Sequence, residues 1–464
     1  MKIGSLLKTN IGMNIITSSL THFIINKFFF DMIDRKITSN LLAKKAEGVP
    51  HRMITDKQKM VHNIFKIIDR WMSNKNVSRQ QKKAFLRSFI SFFIEDNATI
   101  RENFHKSYGM YPPGFLTLSP TKKCNLKCSG CYASSSSNMN ISLDYDIVDR
   151  IIQEENKLWG AHFTVISGGE PFLYKSNGKG ILDLAEQHPD NFFLVYTNGT
   201  LIDKSIARRI AELGNITPAI SVEGFQKETD KRRGNGVYDK ILNAFNNLHA
   251  AGVLYGISVT ATRDNAELIL SPEFIDYYMR DIGAYYMWIF QYMPIGRGRD
   301  LQLMVTPEQR LEMFRRSWEL VYDEELFIAD FWNSATASGG CISAGRHGGY
   351  IYIDWNGNVM PCVFNPYTMN NIVDVYKSGG NLNDVLFSPL MEDIREWYEN
   401  YLHNHKNGSC SNMLLPCPVR DHYDNMRKIL LKTKARPLDK SAEIALYDND
   451  YYKGMCEYDK KLED

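Results

Sequence analysis

The chain has 464 residues and a formal net charge of +2, so it is long enough for two or three domains, and its balanced charge gives no reason to expect a nucleic acid partner. Eight cysteines are few for a secreted disulfide scaffold of this length. Their clustering favours metal binding in a reducing cytoplasm.

Residues 1–112 are predicted to form a helical N-terminal extension, because Met60, Ile64 and Ile67 recur at helical spacing. The apolar run at 11–30 contains too many polar residues for a bilayer span, and no signal peptide is evident. Its apolar side and basic neighbours suit either a helix on a membrane surface or a helix packed on the protein. We therefore expect a cytoplasmic protein, peripheral at the inner membrane face if the first alternative holds.

Residues 113–325 are predicted to be an α/β domain. Short apolar runs alternate with helical patterns, which indicates a parallel sheet, either open and doubly wound or a closed or partial barrel. The predicted strands lie at 115–119, 162–167, 192–197, 218–223, 256–262 and 285–291. Functional groups should then follow the carboxyl ends of the strands.

Residues 326–464 are predicted to form a small, irregular domain that holds five of the eight cysteines. The stretch "GGYIYIDWNGNVMPC" at 348–362 is typical of a β-hairpin, because two apolar runs flank an Asn-Gly turn.

Three cysteines, Cys124, Cys128 and Cys131, follow the first predicted strand in "CNLKCSGCYA". Their spacing differs from the paired knuckles of zinc ribbons, and zinc would need a fourth ligand. An iron–sulfur cube held by three cysteines leaves one iron open to a reactant.

This C-x3-C-x2-C pattern, with Tyr132 behind the last cysteine, resembles the cluster loop of radical S-adenosylmethionine (SAM) enzymes. The resemblance implies a partial (β/α)6 TIM-like barrel and a [4Fe-4S] cluster with one open iron at Cys124, Cys128 and Cys131. In that family the cluster, reduced by ferredoxin or flavodoxin, cleaves SAM to a 5′-deoxyadenosyl radical that abstracts a substrate hydrogen atom.

Further segments at predicted strand ends resemble the SAM-binding loops of the family. "SGGEP" at 167–171 matches the segment that binds the methionine ammonium, with Glu170 as acceptor, and "PIGRG" at 294–298 resembles the segment beneath the adenine. Glu223 stands where an aspartate is more usual. The resemblance implies that SAM is bound by Tyr132, Gly168, Gly169, Glu170, Pro171, Thr197, Asn198, Ser221, Glu223 and Arg233. Catalytic acids or bases are not assigned.

The later cysteines follow the pattern C-x15-G-x4-C over residues 341–362, which resembles the opening of SPASM and twitch extensions. The full seven-cysteine SPASM pattern is absent, so the resemblance implies a single auxiliary [4Fe-4S] cluster. Its ligands would be Cys341, Cys362, Cys410 and Cys417. A zinc ion on the same thiols is the alternative, and Cys456 is expected to be a free thiol.

The sequence does not identify the substrate. The basic, amphipathic start of the chain favours modification of a lipid, including C–C bond formation, as the first hypothesis. Maturation of a ribosomal peptide or a small molecule by the same radical chemistry is the alternative. A non-catalytic iron–sulfur protein for electron transfer or redox sensing is a further one.

Overall fold

The structure is a computed structural model that describes residues 51–92, 95–403 and 412–463. The predicted surface helix at 11–30 and the predicted ligand Cys410 lie outside these ranges. Among the described helices, none combines the length and the apolar character that crossing a bilayer requires.

Strands and helices alternate through the middle of the chain, as predicted. The strands are β1 (Phe115–Leu118), β2 (Phe163–Ile166), β3 (Phe192–Thr197), β4 (Ile216–Val222), β5 (Gly256–Ala261), β6 (Met287–Gln291), β7 (Ile328–Asp330), β8 (Tyr350–Ile353), β9 (Asn358–Met360), β10 (Tyr367–Thr368), β11 (Asn370–Asn371) and β12 (Arg436–Pro437). The helices of the N-terminal region and barrel are α1 (His51–Met72), α2 (Arg79–Phe92), α3 (Glu95–Tyr108), α4 (Tyr145–Trp159), α5 (Ile181–Gln187), α6 (Lys204–Leu213), α7 (Gln226–Arg233), α8 (Val237–Ala250), α9 (Pro272–Ile275) and α10 (Pro307–Tyr322). The C-terminal helices are α11 (Ala335–Ser338), α12 (Ile372–Lys377), α13 (Pro389–His403), α14 (Tyr423–Thr433), α15 (Lys440–Tyr447) and α16 (Asn449–Glu463).

The main sheet has the strand order β11-β9-β8-β1-β2-β3-β4-β5-β6-β7. All pairs from β8 through β1 to β7 are parallel, which confirms the predicted partial TIM-like barrel. The barrel is open between β7 and β8, where ring contacts replace strand pairing: Phe331, just after β7, meets Tyr350 of β8 at a centroid distance of 6.2 Å.

The predicted hairpin at 348–362 is confirmed as β8 and β9, which pair antiparallel. Gly357 in its turn has a φ of 81°, a conformation that glycine adopts without strain. The hairpin also joins the barrel, because β8 pairs in parallel with β1. Sequence periodicity placed the hairpin in the C-terminal region, and it contained no signal for this long-range pairing.

Helices α1 and α2 cover the amino ends of the barrel strands. The Trp71 indole is 2% exposed and donates a hydrogen bond to the Gly252 carbonyl at 2.9 Å. The side-chain amide of Asn63 donates hydrogen bonds to the backbone carbonyls of Val321 and Leu326. With the amino ends covered in this way, the carboxyl ends remain available for a site.

We expect Trp71→Ala to lower the free energy of unfolding by about 3–5 kcal/mol, because it empties a large buried volume beneath the barrel. Ile64→Ala on the same helix is the matched control, since Ile64 is 36% exposed, and it should cost well under about 1 kcal/mol. Urea denaturation of both variants measures the difference. Equal midpoints for Trp71→Ala and wild type would contradict the proposed packing.

Candidate active site

A cavity of about 320 Å³ opens inside the barrel and reaches the carboxyl ends of its strands. The structure brings most of the predicted site residues to its wall. These are Cys124, Cys128, Cys131, Tyr132, Gly168, Gly169, Thr197, Asn198, Ser221 and Arg233. Glu170, Pro171 and Glu223 are not on the wall.

The loop after β1 that carries Cys124, Cys128 and Cys131 is called the cysteine loop below. The glycine pair after β2 holds this loop by close backbone contact. The Gly169 amide donates to the Thr121 carbonyl and the Glu170 amide donates to the Lys123 carbonyl, both at 2.8 Å. A Cβ atom at Gly169 would lie 2.1 Å from the Lys123 carbonyl oxygen, which is far inside contact distance. Only glycine fits at this position. The close backbone approach that was predicted for the glycine pair is therefore an approach to the cysteine loop.

The segment after β6 holds the cysteine loop from its other side. The Arg297 amide donates to the Cys131 carbonyl at 3.0 Å, and its guanidinium donates to the carbonyls of Cys128, at 2.6 Å, and Ser135. A Cβ atom at Gly296 would lie 2.3 Å from the Tyr132 carbonyl oxygen. The family resemblance identified the "PIGRG" segment in the sequence. It did not predict the role of Arg297, because an arginine between two glycines gives no signal of which groups it contacts.

Glu170 connects the ends of β2 and β3. Its carboxylate accepts hydrogen bonds from the Thr197 hydroxyl at 2.6 Å and from the Asn198 amide at 2.9 Å. Burial raises the pKa of Glu170, and these hydrogen bonds oppose the rise. Both oxygens thus have partners within the protein, so an ammonium contact at Glu170 stays a prediction.

Glu223 forms a buried ion cluster with Arg232 and Arg233. Its Oε1 accepts from both guanidinium groups, at 2.6 and 2.5 Å. Burial disfavours the charge of Arg233, but Glu223 and nearby thiols outweigh it, and the pKa of Arg233 lies above its ordinary value. Glu223 Oε2 is buried without a partner, as is the hydroxyl of Ser135, which lines the cavity. Such unpaired atoms can still bind a ligand.

The first three thiols suit a metal cluster. Burial raises the pKa of Cys124 to about 12 and also raises the pKa of Cys128, whose rise the two arginines oppose. Cys124 and Cys128 therefore stay protonated until a metal displaces their protons. In the described ranges, no three His, Cys, Asp or Glu side chains converge closely enough for one metal ion. A cube spans a wider gap than one ion, so three soft donors around a glycine-cradled loop fit an iron–sulfur cluster.

The lower wall of the cavity is aromatic. Trp288 and Phe290 of β6 face the cavity, together with Tyr196 of β3. Tyr285 and Tyr286, before β6, instead pack in the cluster formed with α1 and α2. Trp288 and Phe290, two residues apart, share the cavity face as a strand requires, whereas the consecutive Tyr285 and Tyr286 precede β6 and do not follow the alternation predicted for this strand.

Cys341 and Cys362 lie directly behind the cavity wall. Ile342, Val363 and Phe364, the neighbours of Cys341 and Cys362, line the cavity. Burial raises the pKa of Cys362 to about 12 and raises those of two further thiols, Cys341 and Cys417. Electrostatic interactions of Cys417 with Cys341 and Cys362 also contribute to its pKa rise, so these three thiols lie near one another.

Cys456 lies on α16, where its ionisable neighbours include Tyr452 and Asp459 and none of the other cysteines that the structure describes. Its assignment as a free thiol stays a prediction.

Sequence comparisons identify two domains. Residues 118–265 match the Radical SAM superfamily, and residues 341–412 match SPASM, an iron–sulfur cluster-binding domain. These are the two families that the cysteine patterns resemble, so the predicted family is confirmed. S-adenosylmethionine and iron–sulfur clusters follow as the cofactors.

Several characterised proteins are similar to the chain. Mycofactocin maturase MftC of Mycobacterium tuberculosis is 29% identical over 300 residues, covering 62% of this chain and 74% of that protein. Fe-coproporphyrin III synthase of Methanosarcina barkeri is 27% identical over 213 residues, 44% of this chain and about half (49%) of the synthase. Sporulation killing factor maturation protein SkfB of Bacillus subtilis is 24% identical over 363 residues, 74% of this chain and 83% of that protein.

The fold is also similar to a solved structure. Streptococcus suis SuiB bound to precursor peptide SuiA superposes with a TM-score of 0.55 at 19% identity, covering 75% of this chain and 80% of that chain. At this identity the similarity establishes the shared architecture alone.

We expect Arg297→Met to weaken the hold on the cysteine loop, because it removes charge-assisted hydrogen bonds to two loop carbonyls. A loss of about 1.5–3 kcal/mol should speed cluster loss to an iron chelator by about tenfold or more. Arg299→Met is the matched control, since the Arg299 charge acts on Tyr423 and Tyr451 of the C-terminal helices. The same chelation rate in both variants would contradict this role.

Proposed function

Since the chain belongs to the radical SAM superfamily and is an enzyme, we propose that it cleaves S-adenosylmethionine reductively and abstracts a hydrogen atom from a substrate bound in the barrel cavity. The observation that carries the proposal is the convergence of Cys124, Cys128, Cys131 and the glycine cradle on one cavity wall. An iron–sulfur protein that only transfers electrons is not retained as an alternative, because residues 118–265 match the Radical SAM superfamily and the similar proteins named above are maturases and a synthase.

The three thiolates would hold a [4Fe-4S] cluster with one open iron. Bound there, the cluster supplies the electron that splits S-adenosylmethionine into methionine and the 5′-deoxyadenosyl radical. Asn198 and the Leu126 amide donate toward Cys124 Sγ, at 3.8 and 3.4 Å, and orient that ligand. Reduced ferredoxin or flavodoxin is the proposed electron donor.

The cavity wall supplies the proposed contacts for S-adenosylmethionine. Tyr132 is fixed by its hydroxyl, which shares a hydrogen bond with Ser167 at 2.9 Å, so its ring is held beside the cysteine loop for the adenine. The Arg233 guanidinium is oriented by Glu223 and is the proposed partner of the methionine carboxylate. Ser221 is the proposed ribose contact on this wall, whereas Glu223, which is not on the wall, would act on S-adenosylmethionine through Arg233.

The second set of thiols would hold one auxiliary [4Fe-4S] cluster. Cys341, Cys362 and Cys417 supply three ligands, and Cys410 is the proposed fourth. Four thiols would close the cluster to direct substrate binding, which favours a role in electron relay or support. Zinc on the same thiols is the competing proposal, and metal analysis separates the two.

A peptide is the proposed substrate. Among the described residues that line the cavity, only Arg232 and Arg233 carry ionised groups. Arg232 is paired with Glu223, and Arg233 is assigned to the methionine carboxylate, so neither is left for the carboxylates of a substrate. An uncharged side chain of a peptide suits such a wall better than a tetrapyrrole with several carboxylates. The similarity to two maturases, MftC and SkfB, supports the same choice. The earlier lipid hypothesis depends on the first 50 residues, which lie outside the described ranges, and none of the similar proteins named above carries a lipid in its name.

We expect Cys128→Ala to abolish formation of 5′-deoxyadenosine from S-adenosylmethionine under anaerobic reduction, because a cluster ligand is lost. Iron per chain should fall from about eight to about four. Cys456→Ala is the control and should match wild type in both measurements. Full cleavage activity in Cys128→Ala, or zinc in place of iron at these thiols in wild type, would refute the proposal.

We expect a short peptide encoded beside the gene to change mass when incubated with the enzyme, S-adenosylmethionine and a reductant. The control is the same peptide in scrambled order, which should stay unchanged. The lipid alternative would gain instead if no such peptide reacts and a deuterated lipid transfers its label to 5′-deoxyadenosine. That outcome should be accompanied by co-sedimentation with anionic liposomes that requires residues 1–50.

A further inference from the structure

Tyr350 of β8 spans the wall between the barrel cavity and Cys362. Its ring lines the cavity and stacks on Phe115 of β1, with centroids 5.1 Å apart and planes at 10°. Its hydroxyl lies 3.0 Å from Cys362 Sγ. The side chain is 2% exposed, so both contacts are made inside the protein.

The direction of this hydrogen bond follows from the chemistry of Cys362. A metal-bound cysteine is a thiolate without a proton, so the Tyr350 hydroxyl must donate. The Val363 amide donates to the Tyr350 oxygen at 3.3 Å, which leaves the hydroxyl proton free for sulfur. The Phe364 amide is a second donor to Cys362 Sγ, at 3.4 Å.

We propose that Tyr350 is a positioning residue of the auxiliary cluster, which raises the reduction potential of that cluster through its hydrogen bond to Cys362. Hydrogen bonds to cluster sulfurs stabilise the more negative, reduced state, and they are one of the protein's main means of setting the potential. Because the same side chain forms the cavity wall, a substrate that contacts its ring also contacts the group that sets this potential. The inference rests on the proposed auxiliary cluster.

Neighbouring Tyr352 shows that this contact is specific to one position. Tyr350 and Tyr352 lie on the same face of β8, since side chains alternate along a strand. Tyr352 donates its hydroxyl hydrogen bond to Ser119 at 2.9 Å. Both hydroxyls are buried and hydrogen-bonded. Of the two, only the Tyr350 hydroxyl contacts a proposed cluster ligand.

The test is a redox titration of the reconstituted holoenzyme followed by electron paramagnetic resonance. In Tyr350→Phe the ring and its stacking remain and the hydroxyl is lost. The auxiliary potential should shift to a more negative value, by a change in the reduction equilibrium of about tenfold, which is 59 mV for one electron. Tyr352→Phe is the matched control and should leave the auxiliary potential unchanged.

A second variant keeps the test decisive if Tyr350→Phe does not fold. Replacing Tyr350 by 3-fluorotyrosine keeps its shape and makes the hydroxyl a stronger donor, so the potential should shift in the positive direction. An unchanged potential in whichever variant retains both clusters would overturn the inference while leaving the proposed function intact. Wild-type protein with only about four irons per chain would instead refute the auxiliary cluster and this inference with it.

Discussion

The site depends on the close approach of three backbone segments. The cysteine loop is held between the glycine pair after β2 and the Gly296–Arg297 segment after β6, and at Gly169 and Gly296 a single added carbon would collide with a loop carbonyl. Metal ligands must be placed to within a fraction of an ångström, and loops on their own do not achieve this. Backbone contact from two strand ends gives the cysteine loop the rigidity that its own sequence lacks.

The close approach of these backbone segments also explains why buried charged side chains lie around the cysteine loop. Glu170 and Glu223 are both buried, yet Glu170 accepts hydrogen bonds from the end of β3 and Glu223 pairs with arginines of α7. An unpaired buried charge would be costly, so these groups also fix the relative positions of β2, β3 and α7. Glu170 and Glu223, which are predicted to contact S-adenosylmethionine, therefore also stabilise the architecture of the site.

Much of this arrangement could be predicted from the sequence because the signals are local. The three cysteines, the "SGGEP" loop and the turn at Gly357 each lie within a few residues, and alternating apolar runs predicted the parallel strands. The pairing of β8 with β1, the grip of Arg297 and the contact of Tyr350 with Cys362 could not be predicted. Each depends on which distant segments become neighbours, and neither periodicity nor motif spacing encodes that choice.

The pairing of β8 with β1 has a chemical consequence. It places β8 in both the barrel wall and the cysteine-rich region. The two predicted metal sites are therefore connected by a strand of the barrel wall and not by a flexible linker. Helices α1 and α2 cover the amino ends of the strands, and Phe331 and Phe364 pack together beside the gap between β7 and β8. A substrate must therefore approach over the carboxyl ends of the strands, between the cysteine loop and the wall that carries Tyr350. That geometry favours a flexible chain that inserts one uncharged side chain over a rigid, many-charged ring system.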